Sequence, residues 1–212
     1  MTGSCNAIVI VIGGVPGTGK TTVATKLSEI LSCIHLEASS LAHEYGLACR
    51  DPTGRYTMVL REGSEDKLVE VIIEKASSRG CAIVAAVYPD IILPRVEEYA
   101  PFAVILRTNP LHLLSRLEAK GWPRVKILEN IVAEALNVIY DGLEDYFDMI
   151  IEVDTTDVKV EEAVEEILRK LEAWDTGPRI DWTVRDEVLE ALPRWLRELD
   201  LYKERLTQGG RY

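Results

Sequence analysis

A chain of 212 residues, 47% hydrophobic and 28% charged, is long and apolar enough for one α/β domain with an appendage, which excludes a disordered body. No window reaches about 18 apolar residues without a charge, so a helical membrane span is excluded. The formal net charge of −11 argues against holding a nucleic-acid backbone, which needs surplus lysine and arginine, and no direct DNA binding is expected.

Residues 7–13, AIVIVIG, form the continuous β-branched run that a strand covered on both faces requires. The segment before them has no basic n-region, so the run reads as a strand rather than a signal peptide, and a cytoplasmic protein is expected. Residues 21–31 place Val23, Leu27, Ile30 and Leu31 at helical spacing. A short second strand at 34–37 leads to a helix capped by Ser39 or Ser40 and stopped by Gly46. Asp51-Pro52-Thr53-Gly54 is a turn signal, so 49–56 reads as loop. A helix at 64–78 ends at Gly80, and CAIVAAVY at 81–88 is a third buried strand.

The fourth strand is 102–107, followed by a helix at 110–120 that Gly121-Trp122-Pro123 breaks. One helix over 125–143, a fifth strand at 148–153 and an amphipathic helix at 160–174 complete the pattern. Strands alternating with helices predict an α/β fold: a five-stranded, mostly parallel sheet with helices on both faces. Beyond a domain of 1–174, residues 175–212 read as a helical extension. Its helix at 183–202 is expected to break at Pro193 and to dock through Trp182, Trp195 and Leu196. Cys5, Cys33, Cys49 and Cys81 form no C-x-x-C pair, so zinc is not expected; reduced thiols are the default, and a disulfide stays open for a hyperthermophile source.

The sharpest signal is Gly14-Val15-Pro16-Gly17-Thr18-Gly19-Lys20-Thr21, a G-x-x-x-x-G-K-[ST] loop between a buried strand and a helix. Its glycines let backbone N–H groups turn towards a polyphosphate, and the helix start adds its positive dipole end. Lys20 is placed to bridge β- and γ-phosphates, the Thr21 hydroxyl to ligate Mg²⁺, and Thr22 to reach the α-phosphate. A GTPase would carry Asn-Lys-x-Asp, which is absent. Small size and two insertions that could close over a substrate favour a nucleotide kinase instead: 39–61, and a basic lid at 116–126 with Arg116, Lys120, Arg124 and Lys126. Cations there would meet the charge that spreads over a moving phosphoryl group.

The segments GGVPGTGKTT (13–22), LRTNPLHLLSRLEAKGW (106–122), KILENIVAEAL (126–136) and VDTT (153–156) resemble the small adenylate kinase family. That family includes the eukaryotic nuclear adenylate kinase, or coilin-interacting ATPase, and short archaeal relatives. The resemblance spans roughly residues 7–174. It implies a P-loop NTPase fold of nucleoside monophosphate kinase type, ATP and Mg²⁺ as cofactors, and the reaction ATP + AMP → 2 ADP, with ATP hydrolysis beside it. It implies that Gly17, Thr18, Gly19, Lys20, Thr21 and Thr22 hold ATP, with Thr21 on the metal, and that Asp154, Thr155 and Thr156 border the adenine. Lys20, Lys120 and Arg116 would be the catalytic cations, 39–61 would cover the AMP site, and 120–130 would form the lid.

Three positions depart from that pattern. The family's third strand ends in an Asp-x-His pair, the carboxylate steadying Mg²⁺, where this chain has Ala85 and Val87. Lys120 stands for an arginine before Gly121-Trp122, keeping charge but losing the planar fork. His43 stands for an arginine of the eukaryotic members. Asp90 is one candidate to replace the carboxylate and also reads as an exposed turn residue; Asp51 and Asp66 are more remote. Two readings follow. One is a phosphotransferase slowed by the missing pair. The other is an ATP-binding assembly factor in small-ribosomal-subunit maturation, with a ribosomal protein as partner and the 175–212 tail as its surface.

Overall fold

The computed structural model describes residues 7–51, 58–92, 95–96, 99–100, 102–144 and 149–207, the side chains of 205–207 excepted. Most of the 51–54 turn, the residues past 207 and Cys5 lie outside it. Five strands, β1 (Ile8–Gly13), β2 (Ile34–Glu37), β5 (Cys81–Ala85), β6 (Ala103–Arg107) and β7 (Ile150–Asp154), form a parallel sheet in the order β2-β5-β1-β6-β7. Alternation along β1 explains its two-sided apolar run. Val9 and Val11 face a core with Leu68, Val71 and Ile72 of α3 (Glu65–Arg79). Ile10 and Ile12 face a core with Val23 and Leu27 of α1 (Lys20–Leu31) and Val164 and Ile167 of α8 (Val160–Ala173). The sheet therefore carries helices on both faces, as the alternating pattern predicts.

Several boundaries differ from the expectation. The loop expected at 49–56 is entered and left by a small antiparallel pair, β3 (Ala48–Arg50) with β4 (Met58–Leu60). It follows α2 (Ala38–Glu44), and three-residue strands are too short for a periodic signal. The third strand of the sheet stops at Ala85 instead of 88, because Pro89 opens a short helix, α4 (Pro89–Ile92). The single helix expected over 125–143 is two, α6 (Arg124–Ala135) and α7 (Val138–Asp141). Asn137 between them has φ +57°, and its side-chain oxygen accepts a hydrogen bond from Arg107 that holds the break.

The tail differs most. After a 3-10 turn at Trp182–Val184, α9 (Asp186–Thr207) runs through Pro193 without the predicted interruption. Proline removes the hydrogen bond to Leu189, and Leu189 lies on the solvent side, where water can serve its carbonyl. Trp182 and Trp195 are buried as expected, whereas Leu196 is 36% exposed and takes little part in docking. Trp195, Val188, Leu192 and Leu199 complete a third core with Val15, with Leu113 and Leu117 of α5 (Pro110–Ala119), and with Ile127 and Ile131 of α6. The expectation of reduced thiols is also corrected: Cys33 and Cys81 are joined in a disulfide across the starts of β2 and β5, and Cys49 is free.

Candidate active site

The loop from Gly14 to Lys20 leaves the C-terminal end of the central strand and enters α1. Gly17, at φ +98°, packs so tightly on α5 that a Cβ there would meet Leu113 Cδ1 at 2.7 Å. Gly19, at φ +93°, caps α1 with no side-chain hydrogen bond and with open space where a Cβ would stand. The first N–H groups of α1 therefore have no protein cap, which makes that end an anion cradle. Thr18 is fully buried and its hydroxyl donates to the Val15 carbonyl at 3.0 Å, so its side chain braces the loop from within. Thr21 and Thr22 are exposed in the first helical turn.

Lys20 reaches back across the loop, its Nζ donating to the Val15 carbonyl at 3.0 Å. Only 9% of it is exposed, and burial lowers its ammonium to about 8. Glu37 and Glu134 pull the other way, and Lys120 adds repulsion. The site thus holds a desolvated cation with too little negative charge around it. Lys120 itself is exposed at the end of α5.

The turn after β7 closes on the same loop. The Thr155 hydroxyl lies 2.9 Å from the Thr18 carbonyl and 2.8 Å from that of Arg107. Asp154 Oδ1 accepts the Thr156 N–H at 2.8 Å, and the Thr156 hydroxyl accepts the Asn109 N–H at 2.9 Å. Arg116 donates to the Thr155 and Thr156 carbonyls at 2.8 and 2.6 Å, and to the Gly17 carbonyl at 3.4 Å. Its guanidinium therefore ties the phosphate loop, α5 and the β7 turn together. With Leu111, His112, Ser115, Thr156 and Asp157 it lines an open cleft of about 540 Å³ beside the loop.

Not every residue expected to act reaches the cradle. Arg124 is held as a fork by Glu198 of α9 at 2.9 and 2.9 Å, and Glu118 lies 3.2 Å away. Lys126 sits over the Trp122 ring at 5.9 Å. Asp90, in the first turn of α4, has its carboxyl pKa raised by partial burial. Asp66 pairs with Arg95 at 2.8 Å.

A buried network not apparent from the sequence supports the site. Arg107, 2% exposed, donates to Glu134 Oε1 at 2.8 Å and pairs with Glu152. Glu134 Oε1 also accepts the Thr108 N–H at 3.0 Å and Trp182 Nε1–H at 2.9 Å. Burial opposes the charge on Arg107, and the two carboxylates outweigh it, so its pKa is raised. A signal was present: an arginine ending an apolar strand, and a glutamate on the buried stripe of Ile127, Ile131 and Ala135.

Comparison with known proteins bears on the family and the fold. A family described as AAA domain matches residues 10–137. A protein of Saccharolobus solfataricus named "Putative adenylate kinase" is 34% identical over 91% of this chain and 95% of its own length. One of the same name from Pyrococcus furiosus is 33% identical over 87% and 97%. Among solved structures, a shikimate kinase from Acinetobacter baumannii covers 81% of this chain and 96% of its own, with a TM-score of 0.56 at 17% identity. A gluconokinase from Sinorhizobium meliloti covers 80% and 93%, at 0.54 and 17%. At that identity these structures show a shared fold alone. The sequence relatives, similar along almost their whole length, place this chain in the small adenylate kinase family of phosphate-loop proteins.

Proposed function

We propose that the protein moves the γ-phosphoryl group of ATP, carried with Mg²⁺, to a nucleoside monophosphate, with AMP the preferred acceptor. The observation that carries this reading is the uncapped α1 N-terminus beside Lys20, a buried cation short of negative charge. A triphosphate supplies what both lack. Lys20 would lie along the β- and γ-phosphates and Thr22 would meet the α-phosphate, with the Thr21 hydroxyl on the metal. Bound Mg²⁺ would offset charge on the β- and γ-oxygens. Gly17 and Gly19 keep the loop open, Thr18 and Thr155 brace it, and Arg116, Asp154 and Thr156 shape the cleft for the base. Lys120 supplies positive charge at the lid, 120–130, and 39–61 would cover the acceptor.

A second reading, an ATP-governed assembly factor with a ribosomal protein as partner, draws support from the exposed Val184, Leu189 and Leu201 of the tail. A coupled assay with ATP, Mg²⁺ and each nucleoside monophosphate separates the two. Fastest ADP formation is expected with AMP, and loss of it in Lys20→Ala. ADP no higher than in Lys20→Ala, with ATP still bound by the wild type, would overturn the kinase and favour the assembly factor.

A further inference from the structure

Ala85 leaves the third strand of the sheet without a carboxylate at its end, yet metal-bound triphosphates are commonly steadied by one beside the loop. The candidates near the cradle can be sorted by what they already hold. Glu134 accepts from Arg107, Thr108 and Trp182. Asp154 Oδ1 is closed in its own turn, and Asp66 is paired with Arg95. Glu37 is different. Its Oε1 is buried and has no hydrogen bond, although His35 Nε2, equally buried and equally without one, stands 3.2 Å away.

The fold puts this pair where it matters. Parallel pairing sets Glu37 opposite Ala85, and Ala85 opposite Ile12 on the strand that feeds the loop. His35 lies opposite Ile83 in the same register. Ile12, Ile83 and Ala85 all face the core under α1, so His35 and Glu37 share that face. A contact confirms it: His35 Nδ1 lies 3.2 Å from the Thr25 hydroxyl, which donates to the Thr21 carbonyl at 2.8 Å. Thr21 is the residue placed to hold the metal. Glu37 is also the largest attraction acting on Lys20.

We propose that Glu37, set in place by His35, is the carboxylate that serves the Mg²⁺ carried by ATP, contributed by β2 where Ala85 supplies none from β5. The proposal rests on the reading of the loop as an ATP·Mg²⁺ site, and one experiment tells the two apart. Calorimetry measures ATP affinity with Mg²⁺ and with chelator in the wild type, Glu37→Gln and Glu37→Asp, each checked for an unchanged melting transition. The wild type should gain about tenfold or more from Mg²⁺. Glu37→Gln should lose most of that gain without any fall in its affinity in chelator, since a carboxylate beside Lys20 is removed, and Glu37→Asp should keep part of the gain. A full Mg²⁺ gain in Glu37→Gln, or equal losses in the two variants, would overturn the role of Glu37 and leave the ATP site standing. No ATP binding by the wild type would overturn both.

Discussion

Lys20 is held in the ligand-free protein against its own solvation. Its folded pKa, about 8, lies below the ordinary lysine value of 10.5, so the unfolded chain binds more protons between those two values. The destabilisation is full below pH 8 and fades as pH rises towards 10.5. Lys20→Met should therefore make the ligand-free protein more stable at pH 7, by about 1–3 kcal/mol after the lost hydrogen bond to Val15 is counted. The difference from wild type should shrink by pH 10, and ATP binding should vanish. Urea denaturation of both proteins at the two pH values checks this, and a variant less stable at pH 7 would refute it. Lys20 and Thr21 were legible because one motif holds them within eight residues. Glu37 was not, since a lone glutamate ending a strand looks ordinary until β2 pairs with β5.

At the scale of elements, α9 is part of the core and not a free arm. Trp195 is fully buried among Leu113, Leu117 and Ile131, while the Arg124–Glu198 fork joining α9 to α6 is about one-third exposed. Burial and exposure predict unequal worth. Trp195→Ala should cost about 3–5 kcal/mol, and Arg124→Ala less than about 1 kcal/mol, because an exposed ion pair is screened by solvent. Trp195→Phe should be mild, since Trp195 Nε1 has no hydrogen-bond partner to lose. Equal losses for Trp195→Ala and Arg124→Ala in chemical denaturation would contradict this assignment. The helical period located α5, α6 and α9 in the sequence, with both ends of α5 and the start of α6 to within a residue, but not where α6 stops or that α9 runs on through Pro193. Asn137 breaks a helix because Arg107 claims its side chain, and Pro193 fails to break one because its lost bond faces water. Those outcomes depend on neighbours that a local window does not contain.

For the whole molecule, the Cys33–Cys81 bond fastens edge strand β2 to β5 at the ends of the strands away from the phosphate loop. It closes a loop with a sequence separation of 48, worth about 4 kcal/mol if the bond acts by restricting the unfolded chain. Cys33→Ser/Cys81→Ser should lower the melting temperature and make it insensitive to reductant, with ATP affinity within about twofold of wild type. An unchanged melting temperature would remove the disulfide from the account of stability. The sequence by itself determined the phosphate loop, the alternation of strands with helices and the two-faced apolar character of β1, because each is written in neighbours a few residues apart. Only the tertiary structure decided that Glu37 stands beside Ala85, that Arg107 meets Glu134 and Trp182, and that Cys33 meets Cys81. These partners are far apart along the chain, and only the folded sheet and its packed helices bring them close enough, and far enough from water, for the contacts to matter.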